Sequence, residues 1–208
     1  MRGRLWRLAS VVPDYARIAW WGLVRPRVAS EPPLVVSQGV ILSGKAGSDV
    51  ADCRVLLAVR SNLRGWELPG GTPIGGETAE ETLRREVREE TGCEVAVDRH
   101  VGDYVRSGFR PHTARVFLCR IRSGVPTPSS ETPLVRWFGV AELPETIFPW
   151  FRRPLADALG GAIGPRRVEE RQGLRAVLDG MRIDLKMRFT NDGGPVACSP
   201  RTRRGPEA

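Results

Sequence analysis

The sequence predicts an α/β (α+β) sandwich in which a mixed β-sheet lies between helices. Short β-branched and leucine-rich runs, bounded by glycine and proline, indicate strands, and a long charged helical pattern interrupts them. The order along the chain is therefore strands, helix, strands, helix. This order is typical of a sheet whose apolar faces are covered by helices.

The first half of this region predicts two strands, one extended piece and one helix. Residues 34–42, LVVSQGVIL, and 54–61, RVLLAVRS, are apolar runs of strand length that a polar turn separates. Residues 65–71, GWELPGG, predict a short extended piece that ends in a glycine turn. The stretch from Thr78 to Thr91 then has the apolar spacing of an amphipathic helix.

The second half predicts three further strands and a closing helix. The strands are expected at 93–105, 113–121 and 134–140, where β-branched and aromatic residues concentrate between polar loops. The sequence WFRRPLADALGG at 150–161 predicts the helix, with glycines at its carboxyl end.

The chain divides into three segments around this core, which is assigned to residues 30–160. Residues 1–29 are basic and rich in tryptophan, and two interpretations stay open: packing on the main domain, or contact with an anionic membrane surface. Residues 161–208 form a C-terminal extension. Within it, MRIDLKMRF at 181–189 alternates strictly and predicts a strand, and the residues after it predict a disordered basic tail.

Composition limits the classes of function. The formal net charge of +8 favours anionic partners such as phosphates, nucleic acid or lipid headgroups. No apolar run reaches the roughly 18 residues of a membrane-spanning helix, and Pro13 and Asp14 interrupt any leader-like segment. The four cysteines form no CxxC pair, so we expect small buried thiols in a reducing cytoplasm, with membrane-surface association open through residues 1–29.

The helix at 78–91 carries an unusual arrangement of acids. At about 3.6 residues per turn, Glu86, Glu89 and Glu90 share one side, directly beside the core-facing stripe of Leu83 and Val87. Arginines occupy the outer face, where Glu80–Arg84 and Glu81–Arg85 have the spacing of ion pairs. The three glutamates are therefore expected to lie unneutralised next to the core. Carboxylate oxygens in such a group suit a hard divalent cation such as Mg²⁺.

Glycines precede this helix at positions where the backbone has to come close to a ligand. Gly70 and Gly71 allow such an approach and offer a carbonyl oxygen, and Gly75 and Gly76 turn the chain into the helix. The pattern from Gly71 through Glu77 and Arg85-Glu86-Val87 to Glu89-Glu90, Gly92 and Cys93 resembles the Nudix box, the signature of hydrolases of nucleoside diphosphates linked to another moiety. Cys93 stands where the family usually has a branched aliphatic residue. The likeness covers roughly residues 34–160.

The resemblance implies a Nudix fold, with the box as a loop, helix and loop, and a set of roles. Glu86, Glu89 and Glu90 would bind Mg²⁺ or Mn²⁺ with help from the Gly70 carbonyl. Glu77 and Arg85 would pair to hold the loop. Glu131, six residues before Trp137, stands where several members of the family have a further base or metal ligand.

The activity implied is metal-assisted attack of water on a phosphorus atom of a diphosphate, with Glu90 or Glu131 taking the proton. The partner is a small nucleotide, no nucleic acid is required, and the substrate and oligomeric state stay open. Arg60 and Arg64 are weak candidates for phosphate contacts, and Trp66 or Phe109 for stacking on a base, with core packing an equal alternative. A second hypothesis is a Nudix-fold binding or regulatory module attached to RNA or an anionic membrane surface.

Overall fold

The computed structural model describes Ala16 and residues 34–43, 53–108, 111–161 and 164–189. These residues form one seven-stranded sheet in the order β6-β2-β1-β5-β4-β7, with β3 paired to β1. The strands are β1 (Val35–Ser43), β2 (Arg54–Val59), β3 (Gly70–Gly71), β4 (Glu94–Gly108), β5 (His112–Ser123), β6 (Leu134–Gly139) and β7 (Arg166–Gln172). The helices are α1 (Ala79–Thr91), α2 (Pro149–Leu159) and α3 (Leu174–Phe189).

The sheet is mixed, as the sequence predicts. The strand pairs β1–β5 and β4–β7 are parallel, and the pairs β1–β2, β1–β3, β2–β6 and β4–β5 are antiparallel. The parallel pair at the centre runs from Val35 opposite Thr113 to Leu42 opposite Arg120. Because neighbouring residues of a strand point to opposite faces, β1 contributes Val40 to one side of the sheet and Ile41 to the other.

Helices cover both faces, so the sandwich prediction is confirmed. On one face, Leu83 and Val87 of α1 pack against a cluster that includes Ile41, Leu56 and Phe117. On the other face, α2 and α3 bury Phe151, Leu155 and Met187 against residues from the centre of the sheet. The wider apolar cluster lies on this second face, beneath α2 and α3.

Helix α1 has caps at both ends. The Thr78 hydroxyl accepts from the backbone N–H of Glu81, and the Glu81 carboxylate accepts in return from the backbone N–H of Thr78. Gly92 ends the helix in the left-handed conformation, with φ 70°, and its N–H donates to the Arg88 carbonyl. The outer-face pair Glu80–Arg84 is present at 3.0 Å, whereas Glu81 serves the cap and Arg85 turns to other acids.

The strand predicted at 181–189 is wrong, because these residues lie in α3. Gly180, Asp184 and Met187 are the buried positions, and their spacing of four and three is helical. The strand of this region is instead β7, a polar sequence whose Val168 is its buried residue. Residues 164–189 thus add a strand and a helix to the same sheet. Residues 1–15, 17–29 and the tail after 189 lie outside the described residues, as do the predictions made for them.

Two further features concern the class of protein. Across the described ranges, no helix is both long and apolar enough to cross a membrane. Cys53, Cys93 and Cys119 are buried, as expected, and form no disulfide with one another; burial raises the pKa of both Cys93 and Cys119.

Candidate active site

The glycines of β3 bring the backbone against the acids of α1. Gly70 pairs with Gln38 of β1 at φ 146°, and a side chain there would collide with the Ser37 carbonyl. A β-carbon on Gly71 would overlap the carboxylate of Glu86. Both glycines are therefore required by close approach, and the loop before α1 lies directly on the predicted site.

Glu90 is the buried acid of the group, with only 5% of its surface exposed. Its Oε2 accepts from the backbone N–H of Gly70 at 2.9 Å, and its Oε1 accepts from Nη2 of Arg60 at 2.9 Å. Desolvation raises the pKa of Glu90 to about 7, and the charges of Glu67 and Glu86 act in the same direction, against the pull of Arg60 and Gly70 N–H. Glu90 therefore exchanges its proton near neutral pH in the metal-free protein.

Arg60 links three oxygen acceptors around Glu90. Its Nε donates to Oε1 of Glu67 at 2.7 Å, and its Nη2 donates to the Gly70 carbonyl at 2.6 Å as well as to Glu90. The charge of Glu67 holds the pKa of Arg60 above its usual range. Glu67 was not among the predicted site residues, although it is an acid within the otherwise apolar GWELP segment. In the structure, an isolated β-bridge between Ala58 and Glu67 places this segment beside β2.

Arg85 holds the loop and two of the acids together. It donates to both oxygens of Glu77, at 2.8 and 3.0 Å, and to the Thr72 carbonyl at 3.0 Å. Its Nη1 also donates to Glu86 at 3.0 Å and to Glu89 at 3.1 Å. Hydrogen bonds from Arg85 and from the Ile74 N–H lower the pKa of Glu77 to about 2. The structure thus brings Glu77 and Arg85 into the contact that the resemblance implies.

The three glutamates are not without cationic partners as expected, because Arg85 contacts Glu86 and Glu89, and Arg60 contacts Glu90. The expectation still holds in part, because these two guanidinium charges are shared among five carboxylates, with Glu67 and Glu77 as the other two. The side chain of Glu89 is 57% exposed, in contrast to Glu90. Within the described ranges, no three His, Cys, Asp or Glu side chains converge on a point that could hold a metal.

The residues nevertheless fit a hard cation. The Gly70 carbonyl and Glu90 Oε1, two of the oxygens predicted as metal ligands, both receive the Arg60 guanidinium, a positive group of the chain itself. Carbonyl and carboxylate oxygens are the donor set that Mg²⁺ prefers. The Gly70 carbonyl and Glu90 Oε1 therefore already contact one positive charge. The Glu86 carboxylate lies nearby, against Gly71.

A cavity of about 440 Å³ opens beside these groups, within the size range of small-molecule sites. It extends across the sheet from β3 over β1, β5 and β4 to β7, through Gly70, Gln38, His112, Arg106 and Gln172. Arg60, Glu67 and Glu86 line its β3 end. Glu131 also lines it, and the Glu131 carbonyl accepts from the N–H of Ser61 at 2.9 Å.

Of the described residues that were weak candidates for substrate contacts, Arg60 lies in the cavity wall, and Arg64 and Trp66 are not among its lining residues. Arg60 lines the cavity, whereas Arg64 is exposed and is absent from the described residues of the cavity wall; its backbone N–H donates to Asp184. Trp66 is wrong as a stacking residue, because it is 1% exposed and packs edge-on against Phe138 at 4.7 Å in the core. Phe109 lies outside the described residues.

Several cavity residues escaped the sequence analysis. Gln38 had a signal, since it is a polar residue inside an apolar strand, and its buried Oε1 has no hydrogen-bond partner within the described ranges. Arg106 is buried between Glu170 and the Trp150 carbonyl, and nothing in the sequence marks it apart from surface arginines. The residues of α3 were missed because the predicted domain ended at residue 160 and the strand predicted at 181–189 lay outside it. Trp150 was predicted in the closing helix, where no local pattern marks it as a cavity residue.

Comparison with known proteins matches this arrangement. A family model described as NUDIX domain matches residues 33–159. A MutT-like protein of Streptomyces ambofaciens is 38% identical over 143 residues, which span 68% of this chain and 87% of that protein. A Bacillus subtilis (strain 168) protein described as a candidate 8-oxo-dGTP diphosphatase is 32% identical over 127 residues, 61% of this chain and 85% of that one. The crystal structure of a NUDIX hydrolase from Nitrosomonas europaea has a TM-score of 0.58 at 22% identity, covers 69% of this chain and 82% of its own, and shares the fold.

Proposed function

This chain belongs to the Nudix hydrolase family, and we propose that it cleaves the diphosphate linkage of a nucleoside diphosphate derivative by attack of water on phosphorus. The observation that carries the proposal is the meeting of the box with the cavity. Glu86, Gly70 and Arg60 line one end of a space that is large enough for a small molecule. The names of the relatives in Streptomyces and Bacillus support the same class of reaction.

Glu86, Glu89 and Glu90, with the Gly70 carbonyl, are the residues that would hold Mg²⁺ or Mn²⁺. When bound, such an ion neutralises phosphate oxygens and lowers the pKa of a water molecule. Arg85 fixes the loop by binding Glu77 and the Thr72 carbonyl, which keeps Gly70 and Gly71 against the acids. Arg60, at the same end of the cavity, is placed to donate to a phosphate oxygen.

Two carboxylates are candidates for the base that takes the proton from water. Burial raises the pKa of Glu90 to about 7 in the metal-free site, and a bound cation would lower it again. Glu131 lies on the wall of the same cavity and is exposed to it. We propose Glu90 as a metal-site residue. The kinetics of the Glu90 and Glu131 variants test which of these two carboxylates acts as the base.

The test is hydrolysis of a panel of nucleoside diphosphate derivatives with Mg²⁺. We expect Glu90→Gln to lower kcat by about 100-fold or more, since general-base and metal-site carboxylates contribute on that scale. Glu131→Gln is the second arm, and a similar loss there would assign the base to Glu131. Glu80→Gln is the matched control, because Glu80 lies on the outer face of the same helix and forms an exposed ion pair with Arg84.

Two results would count against the enzyme. The first is the absence of metal-dependent hydrolysis for every member of the panel. The second is an equal loss of activity in Glu80→Gln and Glu90→Gln, which would indicate a general effect on the helix. The alternative, a binding module on RNA or a membrane surface, depends on residues 1–29 and the tail, which lie outside the described residues. We also propose a cytoplasmic location, because the three described cysteines are buried and form no disulfide with one another.

A further inference from the structure

Helix α3 forms one wall of the cavity although it follows the matched residues 33–159. Ala176, Val177, Gly180 and Met181 line the space, and their spacing places them on one side of the helix. The adjacent Leu178 faces away and is 55% exposed. The helix therefore presents an aliphatic surface to the cavity and a separate surface to solvent.

An aromatic pair continues this wall. Trp150 is half-buried and lines the cavity, and it stacks on the fully buried Phe148 with ring centroids 4.7 Å apart and planes 8° apart. A β-carbon on Gly180 would lie 3.3 Å from Cη2 of Trp150, so the glycine lets the helix come close to the indole. Aliphatic and aromatic groups in such a narrow wall suit the faces of a planar ring.

The sheet below the helix supplies polar groups. Gln38 is 7% exposed and lines the cavity, and its buried Oε1 accepts no hydrogen bond from any of the described residues. A buried acceptor left unpaired is costly, and a ligand N–H that reaches it removes that cost. Arg106 and His112, which lie 3.3 Å apart from Nη1 to Nε2, line the floor of the same cavity.

We propose that α3 is a specificity-determining wall that holds the base of the nucleotide substrate between itself, the Phe148–Trp150 pair and the sheet. The ligand class is a heteroaromatic ring that carries an N–H donor for Gln38. The diphosphate then extends along the cavity toward Arg60 and Glu86. This inference rests on the proposed function for the diphosphate end, and adds the part of the chain that selects the other end.

Hydrogen bonds connect helix α3 to the loop that follows β2 and Arg60. The buried Asp184 accepts from the backbone N–H of Arg64 at 2.7 Å and from Nε of Arg188 at 2.8 Å. Arg188 also donates to the Asn62 carbonyl at 3.1 Å. Because this loop directly follows Arg60, the wall and the phosphate end of the cavity are fixed relative to each other.

The experiment is a calorimetric titration of the full chain with ADP, GDP, CDP and UDP in the presence of Mg²⁺, with inorganic pyrophosphate as the probe that lacks a ring. Val177→Phe fills the cavity at the wall, and Leu178→Phe is the matched control on the solvent side. We expect Val177→Phe to weaken binding of the preferred nucleoside diphosphate by about tenfold or more, the scale of losing a stacked base. Pyrophosphate binding should be unchanged, and Leu178→Phe should match the wild type for both probes.

Met181→Ala and Gln38→Leu are the second pair of variants, and they decide the matter if Val177→Phe does not fold. Both should weaken nucleoside diphosphate binding and leave pyrophosphate binding intact. The inference is overturned if the folded wall variants bind nucleotides like the wild type, or lose pyrophosphate to the same extent. It is also overturned if the wild type binds none of the four nucleotides. Metal-dependent hydrolysis of another diphosphate compound would then leave the proposed function standing.

Discussion

Glu90 is an acid that the fold removes from water while two donors still point at it. Arg60 and the Gly70 N–H favour the carboxylate, but desolvation outweighs them and raises the pKa of Glu90 to about 7 from 4.5. The folded, metal-free protein therefore binds this proton more tightly than the unfolded chain does. By linkage, Glu90 contributes stability that is complete below about pH 4.5 and is lost as the pH rises through 7.

The first prediction concerns this pH dependence in the presence of a chelator. Between pH 5 and pH 8, the free energy of unfolding of the wild type should fall relative to that of Glu90→Gln, by at most about 3 kcal/mol. Urea titrations at intervals of one pH unit measure the difference. Glu89→Gln, which changes an exposed glutamate of the same box, is the control and should follow the wild type. Parallel curves for the wild type and Glu90→Gln would contradict the raised pKa.

The second prediction concerns Arg85, whose planar guanidinium reaches Glu77, Glu86, Glu89 and the Thr72 carbonyl at once. Lysine keeps the charge and loses the fork, so Arg85→Lys should cost about 2 kcal/mol of stability and at least about tenfold in kcat. Thermal unfolding and steady-state kinetics measure the two effects. Arg84→Lys, on the outer face beside Glu80, should change neither, and equal losses in both variants would refute a special role for Arg85.

At this scale the sequence places some partners and misses others. The helical wheel puts Glu86, Glu89 and Glu90 on one side of α1, and the structure brings Glu77 and Arg85 together. The contact between Arg60 and Glu90 joins residues from different elements, which helical periodicity does not relate. The burial of Trp66 was equally hidden, since a tryptophan in a short extended segment packs inward or outward with the same local pattern.

Among the elements, α1 owes its start to a single threonine. Thr78 accepts from the Glu81 N–H, and Glu81 closes the capping box by accepting from Thr78. The cap fixes where the helix begins and, with it, the phase at which its glutamates meet the loop. An error of one residue at this start would rotate the acids about 100° around the helix axis.

The third prediction follows from this cap. Thr78→Ala should lower the free energy of unfolding by about 1 kcal/mol, because it leaves a donor at the helix start without its side-chain acceptor. Chemical denaturation measures the change. Arg84→Ala, which removes the exposed pair with Glu80, should cost no more than about 0.5 kcal/mol. A smaller effect for Thr78→Ala than for Arg84→Ala would show that the cap does not stabilise the helix.

The error at α3 has a physical source. Met181, Ile183, Leu185 and Met187 alternate with polar residues, and alternation is the pattern of a strand. Leucine, methionine, lysine and arginine are also strong helix formers, and their propensity decides the outcome here. Phe189, the last residue of the alternating series, is 40% exposed, so the alternation did not mark a buried face.

In the molecule as a whole, residues 164–189 add the last strand of the sheet and a helix that covers one of its faces. β7 extends the sheet by a parallel pairing with β4, and α3 covers the face that holds the cavity. Asp184, at 0% exposed, is the buried charge that fastens α3 to the loop after β2. Sequence patterns predicted a mixed sheet between helices, but strand order depends on pairings between distant segments, which no local pattern contains.

The fourth prediction tests that fastening. Asp184→Ala should lower the free energy of unfolding by about 2–3 kcal/mol, because it removes the carboxylate acceptor of the partly buried Arg188 guanidinium and of the Arg64 N–H. Amide hydrogen exchange should also become faster at residues 62–64, which Asp184 and Arg188 hold. Asp184→Asn keeps an acceptor oxygen and should retain part of the stability. Unchanged exchange in a destabilised Asp184→Ala would separate α3 from the loop and contradict the link.

The placement of Arg60 has a consequence for the metal-free state of the site. Carboxylates that bind a metal ion repel one another when the ion is absent, and many small metal-binding domains unfold without their metal. Here the chain supplies its own counter-ion, since the guanidinium already bridges the Gly70 carbonyl and Glu90. Under the proposed function, a metal ion would take the place at these two oxygens that the guanidinium holds. We therefore expect the metal-free site to keep its local structure.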